Sequence, residues 1–148
     1  SSKLSIRYIL VGNGPLKDDL ITNLNRLSSQ FENFHYYYYP KLSHSEVMYL
    51  HTISDIYIML HRLSIFDFAT LEAMSQGTAI LLSPIGGNMD FNKESNILYI
   101  TDNYKEGIHK LLNSNIDLLK EKNKHVFETY FSKAAFKNEY IKMIDLNS

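Results

Sequence analysis

The residues able to do chemistry in this 148-residue chain fall into two glycine turns and the polar stretch between them. Gly12-Asn13-Gly14-Pro15 follows an apolar run and precedes a helical pattern, where a phosphate can meet backbone N–H groups and the positive end of a helix. A dinucleotide fingerprint needs a third glycine, and Lys17 stands there instead, so the turn reads equally as plain punctuation or as a ligand loop. Gly86-Gly87-Asn88 is a second turn: paired glycines allow close backbone approach to a ligand, and Asn88 could instead cap the next segment. Between the turns stand Ser64, Asp67 and Glu72, and the only neighbouring cationic side chains at a strand end are His61 and Arg62. Six scattered histidines show no His-Glu-x-x-His or comparable spacing, no Asp-x-Asp is present, and without cysteine there is neither a thiolate nucleophile nor a thiolate metal ligand. No metal site is expected.

The elements that must position these residues alternate. Ile6 to Val11 reads as a buried strand, Lys17 to Phe31 as a helix, Phe34 to Tyr39 as a strand, Ser43 to Ile53 as a helix capped by the Ser43 hydroxyl, and Asp55 to Leu60 as a strand. Ala69 to Gln76 reads as a helix closed by Gly77, followed by strand Thr78 to Leu82, the turn Ser83 to Asn88 and a short strand Asn96 to Ile100. Lys105 to Leu146 is mostly helical, with a break around Asn113 to Asn115. Strands written as continuous apolar runs between helices predict an α/β fold, a Rossmann-like parallel sheet with helices on both faces. In such folds ligands bind at the carboxyl ends of the strands, so Gly12 to Pro15, Pro40 to Leu42, His61 to Asp67 and Ser83 to Asn88 are expected to line one crevice.

Composition narrows the classes. A formal charge of -1 offers no global attraction to nucleic acid or an anionic membrane, and apolar runs such as Ile56 to Leu60 are too short to span a bilayer. The length suits a single domain, 1–148, whose last part, about 105–148, is helical. The chain opens Ser1-Ser2-Lys3 without an initiator Met or a targeting pattern, which reads as a fragment of a longer protein.

Taken in order, Ser54-Asp55 with the following apolar strand, Phe66-Asp67, Leu71-Glu72-Ala73-Met74-Ser75-Gln76-Gly77, the strand after it and Gly86-Gly87 resemble the nucleotide-sugar-binding half of GT-B glycosyltransferases of the retaining family 4 (group 1) type. Val11-Gly12-Asn13-Gly14-Pro15 matches that family's earlier Val-Gly-x-Gly-Pro element, and the agreement runs from Leu4 to about Ile100. The resemblance implies that Glu72 accepts hydrogen bonds from the donor's ribose hydroxyls, the helix dipole holding its carboxylate, although Glu72 could simply favour its helix terminus. It implies that the family's first glutamate, eight residues earlier, is Ser64 here, and that Asp67 replaces a glycine. Asp67 or Ser64 is then expected to take over the catalytic-side sugar contact, with Asp67 as a helix cap the equal alternative. Gly12, Asn13, Gly14, Phe66, Gly86, Gly87 and Asn88 are implied around the diphosphate and sugar, Lys41 and Leu42 at the base, His61 at a phosphate or the sugar, with a plain surface histidine the alternative, and Arg62 near the diphosphate. Four tyrosines, Tyr36 to Tyr39, put two side chains on each strand face, packed on helices or forming a platform for a base.

The implied function is the donor-binding domain of a retaining, metal-independent glycosyltransferase that moves a sugar from a nucleoside diphosphate sugar to a growing glycan in capsule, exopolysaccharide or lipopolysaccharide assembly. The alternative is a GT-B-like binding or assembly module without transferase chemistry. A first strand and helix and the acceptor-binding domain are expected to lie outside these residues, so the fragment alone is expected to be inactive and to pair through an exposed sheet edge. The expected place is the cytoplasm or the inner face of a membrane, without a transmembrane segment and without nucleic acid.

Overall fold

A computed structural model describes residues 4–63, 65–101 and 103–145, so Ser64 and the end of the helical prediction at Leu146 lie outside the described residues. The chain forms two compact units, Ser1–Val47 and Met48–Ser148. The predicted α/β class is what the chain adopts: parallel sheets flanked by helices.

In the first unit β1 (Ile6–Val11) and β2 (Phe34–Tyr39) pair in parallel, from Ile6 opposite Phe34 to Val11 opposite Tyr39, with α1 (Lys17–Gln30) between them in sequence. Alternation decides which tyrosines meet the helix. Tyr36 and Tyr38 are half-buried against α1, where the Tyr36 hydroxyl donates to Asn25 Oδ1 at 2.6 Å and the Lys17 ammonium stands 5.7 Å over the Tyr38 ring. Tyr37 and Tyr39 point the other way and are exposed, so helix packing holds for only two of the four. α2 (His44–Ile53) starts with a reciprocal cap: the Glu46 amide donates to Ser43 Oγ at 3.3 Å and the Ser43 amide to Glu46 Oε2 at 2.7 Å, which satisfies two end donors. The Ser43 hydroxyl, bonded to the Glu46 carboxylate, holds it below the usual carboxylate range.

The second unit is built on β3 (Ile56–Met59), β4 (Ala79–Leu82) and β5 (Ile97–Tyr99), parallel and in that spatial order. β4 lies in the middle and all four of its residues are fully buried, which is why its sequence is an unbroken apolar run. Ile80 and Leu82 join Ala73, Met74, Phe91, Ile97 and Val126 on one face, whereas Ala79 and Leu81 join Leu98, Ile100, Leu111 and Leu119 on the other. α3 (Phe68–Ser75) packs on the first face and α4 (Tyr104–Leu112) on the second, while α5 (Ile116–Val126) contributes to both. Gly77, at φ +71°, ends α3 in the left-handed region that only glycine adopts freely.

Two expectations are corrected. The turn from Ser83 does not stay open, because Gly86–Phe91 winds into a 3₁₀ helix that drives Phe91 into the core. The C-terminal helical stretch breaks twice. Beyond the predicted gap at 113–115, Phe127–Phe131 forms a π-helical turn that swings Phe131 against Phe91, ring centroids 5.7 Å apart, before α6 (Lys133–Asp145) starts on the Ser132 hydroxyl.

Polar groups at the amino ends of β4 and β5 are buried and saturated. The Thr78 hydroxyl donates to the His51 carbonyl at 2.9 Å, the Asn123 amide to the Thr78 carbonyl at 2.8 Å, and the Asn96 amide to Asn123 Oδ1 at 2.8 Å. Asn96 and Asn123 are fully buried, so this net ties α5 to both strands with no solvent competing for its bonds.

Candidate functional site

At the carboxyl ends of β3 and β4 the second unit gathers His61, Asp67 and the segment from Ser83 to Asn88. The Ser83 hydroxyl donates to the His61 carbonyl at 2.7 Å and the Asn88 amide to the Ser83 carbonyl at 3.0 Å, which pins one loop to the other. Gly87 makes the second pin. A Cβ there would collide with the Ile65 carbonyl oxygen, so only glycine lets the two loops close. The two glycines therefore differ: Gly87 serves this contact, whereas Gly86 is exposed, at φ +46°. Asn88, expected at the loop surface, is fully buried and works inward on Ser83.

Asp67 is the cap of α3. Its Oδ1 accepts from the Ala69 amide at 3.1 Å, and its Oδ2 accepts from the Thr70 hydroxyl at 2.6 Å and the Tyr57 hydroxyl at 3.4 Å. The carboxylate is nearly enclosed, at 12% side-chain exposure, and His61 Nε2 stands 3.8 Å from Oδ2 with its own side chain at 37%. Tyr57 lies beneath: burial, then the charge of Asp67, pushes its phenol well above the usual range, so it stays a hydrogen-bond donor. The imidazole of His51 meets its ring edge-on, centroids 5.4 Å apart.

Glu72 sits in the second turn of α3, not the first, and is half-buried. The helix dipole acts only within the first turn, so the dipole argument for this carboxylate does not hold. Its charge bears on Tyr57 and His51. Burial holds the His51 imidazole below its ordinary value, and Glu72 opposes that shift. Phe66 is 40% exposed and packs on Phe68 and Phe91, ring centroids 5.6 and 5.0 Å away, whereas Arg62 is exposed.

In the first unit Gly12 to Lys17 folds over the end of β1. Leu10, Gly14, Leu16, Leu20 and Tyr38 surround an apolar hollow of about 270 Å³. The Gly12 amide is bonded to the Tyr39 carbonyl at 3.0 Å and is not one of the free N–H groups expected there. Asn13 and Lys41 are exposed, and Leu42 is half-buried just before α2.

The comparison that decides the family spans both units: residues 2–136 match the family Glycosyl transferases group 1. The chain belongs to the group 1 glycosyltransferases. No curated protein matches it. Membership makes glycosyl transfer the chemistry, with a nucleotide-sugar donor and an acceptor as the partners. The Leu-Glu-Ala-Met run of this glycosyltransferase, Leu71 to Met74, lies on α3, the helix that Asp67 caps. Among the described residues no helix is long and apolar enough to cross a membrane, and no group of three or more His, Asp or Glu is placed to hold a metal ion. Two residues of the site were missed from sequence. Thr70 had a signal, standing three residues after an acidic cap, whereas Tyr57 had none, because nothing in a strand sequence says what its far end will touch.

Proposed function

We propose that this glycosyltransferase domain binds a nucleoside diphosphate sugar at the carboxyl ends of β3 and β4, for retaining transfer to a growing glycan of capsule, exopolysaccharide or lipopolysaccharide type. The observation that carries the reading is the junction of the two loops at Gly87, which brings Asp67, His61 and exposed Gly86 to one end of a buried parallel sheet. Glu72 accepts the ribose hydroxyls, since a carboxylate can take both of two vicinal donors. Exposed Gly86 faces the diphosphate, whose charge is met by N–H dipoles and cations such as Arg62 with no divalent ion. Lys41 and Leu42 belong to the base, and Gly12, Asn13 and Gly14 to the nucleotide. The sugar lies by Phe66, Asp67 and His61. The setting is the cytoplasm, at the inner face of a bacterial membrane, and the chain alone binds donor without transferring it.

Calorimetric titration of the chain with UDP and GDP tests this. One nucleotide is expected to bind, and Glu72→Ala to weaken it at least about tenfold, the value of one charge-assisted hydrogen bond at about 1.5 kcal/mol. Absence of binding by either would sink the donor-site reading. The use of both Asp67 oxygens in capping favours a second reading, a binding module without turnover. Nucleotide binding with no transfer by the complete protein would select it.

A further inference from the structure

Asp67 and His61 both come from the segment that follows β3, and their side chains face each other across 3.8 Å. Its geometry separates two roles. Asp67 is nearly enclosed, and its oxygens are already engaged by the Ala69 amide and the Thr70 and Tyr57 hydroxyls, which leaves little of the carboxylate to meet a ligand. The His61 side chain is three times as exposed, its main chain is held by the Ser83 hydroxyl, and its Nε2 faces the Asp67 carboxylate across 3.8 Å. An imidazole anchored through its main chain at a strand end and facing a carboxylate at 3.8 Å is drawn toward that charge with no hydrogen bond between them, and offers a ring nitrogen to a hydroxyl. A phosphate in the same place would lie within a few ångströms of the Asp67 charge and be repelled, whereas a neutral hydroxyl would not.

We infer that His61 reads a hydroxyl of the donor's sugar and that Asp67 is its positioning residue, a division that rests on the donor-site reading above. Asp67 acts through His61, and Tyr57 and Thr70 hold Asp67.

The test is calorimetric titration of the full chain with UDP and GDP, and with UDP-glucose, UDP-N-acetylglucosamine and GDP-mannose. It is run on the wild type, His61→Ala, His61→Gln, Asp67→Asn and the double variant His61→Ala/Asp67→Asn, with thermal unfolding of each. Asparagine caps helices as well as aspartate does, so Asp67→Asn keeps α3 and removes the charge. His61→Ala is expected to weaken the preferred sugar nucleotide about fivefold, the worth of one hydrogen bond near 1 kcal/mol, while leaving the bare nucleotide unchanged. His61→Gln restores part of that loss. Asp67→Asn gives a smaller loss confined to the sugar nucleotide, and the double variant is no worse than His61→Ala alone, because the second residue works through the first. Equal loss of bare and sugar nucleotide in His61→Ala overturns the inference in favour of a diphosphate contact. Unchanged sugar-nucleotide affinity in His61→Ala, with Glu72→Ala still defective, overturns it and leaves the donor site standing. If no nucleotide binds the wild type, the donor site and this inference fall together.

Discussion

The two ends of β4 are built from similar polar residues and use them in opposite ways. At its start Thr78, Asn96 and Asn123 are fully buried and bonded to one another and to main-chain carbonyls. At its finish His61 is partly open, and its contact with the nearly enclosed Asp67 spans 3.8 Å, too long for a hydrogen bond. A buried polar net is worth most when complete, because any unpaired member carries its full desolvation cost. A site that must exchange partners with a ligand cannot be saturated beforehand. The closed end is a device for stability and the open end a device for binding.

Substitutions should therefore part cleanly between stability and affinity. The largest effect is expected from Asn123→Ala, which takes from the buried Asn96 amide and Thr78 carbonyl their bonds to Asn123 and leaves the Asn96 amide donating only to the Phe91 carbonyl. A loss of about 2–4 kcal/mol in urea unfolding is expected, with nucleotide affinity of the folded fraction unchanged. A loss below 0.5 kcal/mol would break the comparison at its closed end. Gly87→Ala comes next and mixes the two effects. The Ile65 carbonyl must move away, costing about 1–3 kcal/mol, and the displaced loop is expected to bind sugar nucleotides more weakly in titration. Glu72→Ala sharpens the contrast from the other side: nucleotide affinity falls at least about tenfold, as set out above, and the shift in Tm stays well below that of Asn123→Ala.

The smallest expected effect is one of pH. The His51 imidazole is held below its ordinary value of 6.5 mainly by burial, so the unfolded chain takes up a proton before the folded one does. Stability is then whole above that value and falls as pH drops through it toward the lowered one. His51→Phe keeps a ring against Tyr57 and removes the titration, and its Tm is expected to decline less than the wild type's between neutral and acid pH. Parallel curves for the two proteins would refute this.

Much of the fold was legible. β1 and β2 were bounded to the residue, because apolar runs that stop at Gly12 and Pro40 leave little choice of where a strand ends. The two faces of the tyrosine run followed from alternation alone, but which face met a helix did not, since that depends on where α1 lands. At the site, Glu72 and Gly87 were picked out from their motifs, yet the reason offered for each changed. Glu72 lies beyond reach of the helix dipole, and Gly87 admits the chain's own Ile65 carbonyl. The π-helical turn at Phe127 escaped notice because Val126, Phe127 and Phe131 also suit an ordinary helix, and only packing on Phe91 selects the wider turn.

By itself the sequence determined the alternation of strands and helices, the parallel burial of β4 and the family, because these rest on local periodicity and on motifs a few residues long. Tertiary structure alone decided that Asp67 faces inward while His61 stays open, that the chain after β4 winds into a 3₁₀ helix, and that Tyr57 backs the site. Each of these depends on contacts between residues distant along the chain, whose partners are chosen only when the helices settle on the sheet and close packing leaves one arrangement.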